Sequence, residues 1–130
     1  MRHRIGRDRA ETPGAEEQVY FFEVAGNARQ ETRVLLKNAH GTSGVSLGYN
    51  TKQLPCFSIW KNPTASKDGY VTGLEPGTNY PNPRSHELKE KRVVSLAPGA
   101  RQAFDLSLDI LGTANEVASA EAAVAALASG

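Results

Sequence analysis

The chain is poor in the residues that carry several common chemistries. Its one cysteine, Cys56, excludes an internal disulfide and any cysteine-rich zinc site. Set between Pro55 and Phe57 in an apolar run, it reads as a buried small hydrophobe rather than a reactive thiol. Three histidines, His3, His40 and His86, are too dispersed to pair at structural-zinc spacing, so no metal is expected. The glycine patterns G-x-x-x-x-G-K-[ST], G-x-G-x-x-G and G-x-S-x-G are all missing. That removes the sequence grounds for a phosphate loop, a dinucleotide fold or a nucleophile elbow, and no cofactor is expected. No apolar run approaches the roughly 18 residues that a membrane-crossing helix needs. The N-terminus also lacks the apolar centre of a signal peptide, and the expected compartment is the cytoplasm.

The net charge of +1 gives no general pull toward nucleic acid, but it is unevenly spread. Arg2, Arg4, Arg7 and Arg9 against Asp8 put +3 on the first ten residues and leave −2 on the rest. Without interleaved aromatic residues this arm reads as a solvated leader over 1–15 and not as a nucleic-acid contact.

What is abundant is β pattern. Residues 18–24 are apolar on both strand faces, which calls for cover on two sides. A second strand is expected over 31–38, with Val34 and Leu36 facing together. Val45, Leu47 and Tyr49 alternate with Ser46, Gly48 and Asn50, a half-buried strand. Further strands are expected over 54–60 and 69–75. Residues 79–89, with their prolines and turn formers, read as a long functional loop. The segments 92–96 and 102–110 flank Ala97-Pro98-Gly99-Ala100 and read as a hairpin. Phe104, Leu106, Leu108 and Ile110 alternate with polar residues in the cleanest strand of the chain. The expectation is an all-β core of about seven strands, sandwich-like, over 16–112. The tail, 113–130, holds eight alanines and opens Thr113-x-x-Glu116, a capping-box pattern that predicts a short Ala-rich helix with a thin apolar stripe. By that reading the helix is an appendage to the sandwich.

The most informative stretch is Tyr70-Val71-Thr72-Gly73-Leu74-Glu75-Pro76-Gly77. It ends a β-prone run on Glu75 just where Pro76-Gly77 turns the backbone, so a strand holds a carboxylate at a loop-lined edge. Gly73-Leu74-Glu75-Pro76 followed by Asn79-Tyr80-Pro81-Asn82 resembles the region around the catalytic glutamate of galactose mutarotase-like proteins, the aldose 1-epimerases. The Glu17–Phe22 run, the segment from Gln53 to Asn62 and Leu96-Ala97-Pro98-Gly99 follow in the order of a less-studied aldose-epimerase-related branch. The resemblance spans 16–111 and looks like the C-terminal part of such a protein.

That resemblance implies a galactose mutarotase-like β-sandwich, a sugar as ligand, and Glu75 as the general base for anomer interconversion. A carboxylate, ionised at neutral pH, takes the proton of the anomeric hydroxyl while an acid protonates the ring oxygen. Other residues suit a sugar site. Trp60 offers an indole face, or else a core aromatic. Lys61, Asn79 and Arg84 are donors near the two candidate loops, or plain surface polarity. The histidines that such enzymes use as acid have no match here, since none of the three sits in a corresponding context. Two further readings therefore stand beside the enzyme: a non-catalytic carbohydrate-binding or structural sandwich, and a fragment without activity. A strand apolar on both faces in so short a chain also leads us to expect self-association, or a partner supplying the missing half of the sandwich.

Overall fold

A computed structural model describes residues 11–127. The arginine-rich start and His3 lie outside them. Six strands form among the described residues: β1 (Gln18–Phe22), β2 (Glu31–Lys37), β3 (Gly44–Asn50), β4 (Cys56–Asn62), β5 (Val71–Gly77) and β6 (Leu106–Leu111). They make two antiparallel three-stranded sheets, ordered β1-β4-β5 and β2-β3-β6. The fold is thus the expected all-β sandwich with a C-terminal helix.

Strand alternation decides what each sheet buries. Phe57 and Ile59 on β4, each 1% exposed, meet Val34, Leu47 and Tyr49 of the other sheet, with Leu54 closing the cluster. Phe22, Val24 and Leu74 pack against its margin. The Tyr49 ring stacks on Phe57 with centroids 6.1 Å apart. Its hydroxyl is buried without a hydrogen-bond partner among the described residues, and burial pushes the phenol well above its usual range.

The tail helix is α2 (Ala114–Leu127). Its capping box forms as the sequence predicts: the Glu116 amide donates to Thr113 Oγ1 at 3.3 Å. Glu116 Oε2 accepts from the Gly112 and Thr113 amides at 2.9 and 3.0 Å. Far from hanging free, α2 packs along β2 and β6, burying Val117 to 1% exposure, and Glu121 pairs with Lys37 at 2.7 Å. Its thin stripe meets a mixed surface: by alternation Leu35 and Leu111 share the outer face of this sheet with Arg33 and Ser46, and the Arg33 guanidinium donates to Ser46 Oγ at 2.9 Å and pairs with Asp109.

Two sequence expectations fail locally. Residues 92–105 form no strand, although the turn itself exists, with the Ala100 amide donating to the Ala97 carbonyl at 3.0 Å. Pro98 followed by Gly99 at φ 75° is the pattern of a type II turn, which splays its flanks instead of pairing them as the hairpin turns do. Residues 79–89 are not all loop, since α1 (Arg84–Lys89) forms within them.

Cover is incomplete. Leu106, Leu108 and Ile110 stand opposite Tyr49, Leu47 and Val45 in register, hence on the core-facing side of β6, yet they are 52%, 64% and 72% exposed. On the other sheet's edge, Val19, Tyr20 and Phe21 of β1 are also exposed. Three strands do not span the face that β6 extends.

The two buried rings make opposite demands, which one denaturation experiment separates. Phe57→Ala is expected to lower unfolding stability by about 3–5 kcal/mol through cavity formation. Tyr49→Phe is expected to leave stability unchanged or raise it by up to about 1 kcal/mol, because it removes an unpaired buried hydroxyl. Urea titration followed by circular dichroism checks both, and a marked loss in Tyr49→Phe would mean that the hydroxyl has a partner.

Candidate active site

Glu75 lies on β5, an edge strand, paired in register with Ser58 of β4, which in turn pairs with Phe21 of β1. One step along, Gly73, Trp60 and Val19 form the parallel row. By alternation both rows sit on the side of the sheet that faces away from the core. Glu75 is exposed there and makes no hydrogen bond or ion pair among the described residues. Its carboxylate lies along the strand over Gly73: a Cβ placed on that glycine would stand 2.8 Å from Glu75 Oε1. Since Gly73 faces Trp60, the carboxylate and the indole share one corner of the sheet. The indole N–H donates to Glu17 Oε2 at 2.9 Å, which fixes the ring.

The other candidates fall elsewhere. Lys61 follows Trp60 in β4 and so points to the opposite side, its ammonium 6.0 Å from the Tyr20 ring centroid. Asn79 stands exposed past the end of β5, donating to the Tyr80 carbonyl at 2.7 Å and accepting from Thr78 Oγ1. Arg84 opens α1, exposed and without an ion pair among the described residues. His40 lies in the β2–β3 turn and His86 on α1, both exposed. Among the described residues no group of three or more His, Cys, Asp or Glu could hold a metal ion. Cys56 is buried and free, and burial pushes its thiol up.

What the sequence does not reveal is the clamp that holds the segment after Glu75. Glu87, on α1 yet 1% exposed, takes a two-point contact from Arg92, Nε to Oε2 at 2.7 Å and an Nη to Oε1 at 2.9 Å. The Asn82 amide donates to it at 2.8 Å and the Tyr80 backbone N–H at 3.2 Å. Arg92 also lies 5.2 Å from the Tyr80 ring centroid, and Tyr80 stacks on Phe21 at 4.7 Å and donates its hydroxyl to the Phe22 carbonyl. The stretch that carries Asn79 and Tyr80 is thereby tied to β1 beside the Glu75 row. In sequence Glu87 sits in His86-Glu87-Leu88-Lys89-Glu90-Lys91-Arg92, where nothing separates a buried carboxylate from a solvated one.

An open groove of about 630 Å³ lies on the other sheet, lined by Arg33, Asn50, Gln53, Ser107 and the end of α2. It does not include Glu75. Its charged and amide groups are satisfied internally, Arg33 by Ser46 and Asp109 and Gln53 by Asp105, which leaves little to recognise a ligand.

A family profile described as a domain of unknown function, DUF4432, matches residues 3–110. The chain belongs to that family. No curated protein matches the sequence. Among solved structures, a candidate aldose 1-epimerase from Klebsiella pneumoniae subsp. pneumoniae MGH 78578 superposes with a TM-score of 0.88 at 37% identity over 92% of this chain. The DUF4432 chain spans 31% of that protein's chain. The galactose mutarotase-like resemblance of the sequence is therefore matched by the fold. Among the described residues no helix is long and apolar enough to cross a membrane.

The clamp gives a signed pH prediction. Arg92 above all, then the Asn82 amide and the Tyr80 N–H, holds the Glu87 carboxyl down at about 2, against 4.5 for an ordinary glutamate. The unfolded chain therefore binds the extra proton first. Glu87's contribution is fully present above about pH 4.5 and is lost as pH falls toward 2. Glu87→Gln is expected to be less stable than wild type at pH 7, where Arg92 loses its counter-charge. Between pH 4.5 and 2 it should lose less stability than wild type does. Denaturation curves at pH 7 and pH 3 check this, and equal pH slopes for the two proteins would contradict it.

Proposed function

We propose that this DUF4432 chain is a carbohydrate-binding domain of aldose 1-epimerase type, with Glu75 as the general base of anomer interconversion. The observation that carries the reading is the exposed carboxylate of Glu75, without a hydrogen-bond or ion-pair partner among the described residues, on the outer side of its sheet beside Trp60. The epimerase-like fold adds support. In this reaction the carboxylate takes the proton of the anomeric hydroxyl, the C–O ring bond opens, and an acid protonates the ring oxygen. The aldehyde turns and the ring recloses on its other face, with both protons returned. Trp60 would take the C–H face of the pyranose. Asn79 and Arg84 are assigned to the rim, where they would meet hydroxyls extending past the strand end. Lys61 fits this site least, because its alternation carries it to the other side. The reading includes an intracellular role in sugar metabolism, in the cytoplasm.

Among the described residues no general acid is placed at this site, since neither His40 nor His86 bonds to Glu75. The isolated chain should therefore accelerate anomer interconversion weakly or not at all, because acid help is typically worth about 10²–10⁴-fold. Polarimetry on freshly dissolved α-glucose and α-galactose tests this. Robust activity that vanishes in Glu75→Gln would place an acid within this chain. Sugar binding without turnover would select the second reading, a non-catalytic carbohydrate-binding module.

Assembly belongs to the same proposal. The exposed row Leu106, Leu108 and Ile110 lies on an edge strand with free backbone groups, a surface that invites another polypeptide. A second copy laid face to face on the row, or a partner that completes the sandwich, would cover it. Light scattering on a size-exclusion column, over a dilution series, is expected to show self-association that Leu108→Lys reduces. A monodisperse monomer at every concentration, with a sharp cooperative thermal transition, would sink the idea.

A further inference from the structure

Gly73 occupies the middle of β5, where glycine weakens a strand and where a close approach is the usual reason for one. The backbone does not require it. Gly14, Gly41, Gly69 and Gly99 take positive φ, whereas Gly73 does not, so its conformation is open to any residue. Nor does packing of the sheet require it. The three nearest atoms to a Cβ built at Gly73 all belong to Glu75: Oε1 at 2.8 Å, Cδ at 3.5 Å and Cγ at 3.5 Å. What the missing side chain makes room for is the Glu75 carboxylate.

We propose that Gly73 is the positioning residue for Glu75: its bare Cα is the notch in which the carboxylate lies down beside Trp60. Residues two apart on a strand share a face, and the residue paired with Gly73 across the ladder is Trp60. With a Cβ at position 73 the carboxylate must swing off the notch. It does so easily, being the free end of a flexible side chain. The fold is kept and the carboxylate–indole corner is lost. This inference rests on the reading of Glu75 and Trp60 as a sugar site only for its consequence; the placement itself is independent of any ligand. In that site a low-lying carboxylate meets a hydroxyl at the edge of a pyranose stacked on the indole, whereas an upright one would block the indole face.

Trp60 is the sole tryptophan of the chain, so its emission reports on this corner alone. The test is a fluorescence cycle on the full chain with four proteins: wild type, Glu75→Gln, Gly73→Ala, and both together. The expected result is that Glu75→Gln changes the Trp60 emission when residue 73 is glycine and leaves it unchanged when residue 73 is alanine. The melting temperature of Gly73→Ala should stay at or above that of wild type. An equal effect of Glu75→Gln in both backgrounds, or no effect in either, overturns the proposal. So does a marked fall in the melting temperature of Gly73→Ala, since the Cβ would then be meeting something other than Glu75. A second arm titrates glucose and galactose into wild type and Gly73→Ala, with an expected loss of affinity of about tenfold or more, the worth of one hydrogen bond to a charged group. Coupling in the cycle with no sugar bound by wild type upholds the role of Gly73 and removes the carbohydrate reading, so the two failures are told apart.

Discussion

The contact between the two central strands holds this domain together. Phe57 and Ile59 on β4 face Leu47 and Tyr49 on β3, and β4 and β3 are the middle strands of their sheets. Each fully buried side chain of this kind is worth about 1.5–3 kcal/mol, and the four stand against one another in a single layer. Everything else is arranged outward from that layer. Phe22 and Leu74 extend it onto the flanking strands of one sheet, and Val34 extends it onto β2. The Tyr49 hydroxyl, without a partner among the described residues, is a cost accepted inside it, offset by the ring's stack on Phe57.

Once β4 has committed Phe57 and Ile59 to the core, alternation leaves no choice about the other side. Cys56, Ser58 and Trp60 must face away, and their partners on β5, which are Gly77, Glu75 and Gly73, must face with them. The candidate site is thus a by-product of the core's register. Slipping β5 by one residue would put Leu74 outside and Glu75 against Ile59, which burial of a charge forbids. Small residues then do the shaping. Ser58 beside Glu75 and Gly73 beneath it leave the carboxylate low and unobstructed, while Trp60 stands as the one large group of its row. The Glu87–Arg92 clamp works at a distance from this row. It fixes Tyr80 against Phe21 and so sets where the chain goes after β5.

Much of this was legible in the sequence, for reasons that differ by element. β3 and β6 carry a clean period of two, and the Thr113-x-x-Glu116 box needs only four residues to act, so both are local signals. The pattern of β6 could not say that its apolar row would lack cover, because cover is supplied by strands remote in sequence. The 92–105 stretch misleads because its turn residues are right for a turn of the wrong hand. α1 has Pro83 ahead of it and no side-chain cap, which leaves no start signal. At the site, Glu75 stands out by its place before Pro76-Gly77 and by the family resemblance, and Trp60 by residue type, but their sharing of a corner depends on the Trp60–Gly73 register, which no local pattern encodes. Lys61 could have been set apart from Trp60 without any structure, since neighbours in one strand cannot face the same way. Glu87 is the opposite case, as its burial depends on Arg92, Asn82 and Tyr80 closing around it.

The same register argument bears on how the exposed row of β6 could be covered. Antiparallel pairing of two copies through β6 would use a two-fold axis perpendicular to the sheet, which keeps each copy's inner side on the same side of the joined sheet. The rows of Leu106, Leu108 and Ile110 would then lie side by side, and the uncovered apolar surface would double rather than close. Edge pairing with itself therefore satisfies the backbone of β6 but not its side chains. What satisfies both is a layer laid over the row from the side of β1, β4 and β5, extending that sheet until it matches the breadth of its partner. The epimerase-like neighbour, with about three times the chain, has the length from which such a layer can be drawn. The Glu75 corner lies on the far side of the very sheet that would be extended. A polypeptide that extends this sheet to complete the core would thus also widen the outer face on which the Glu75 carboxylate stands.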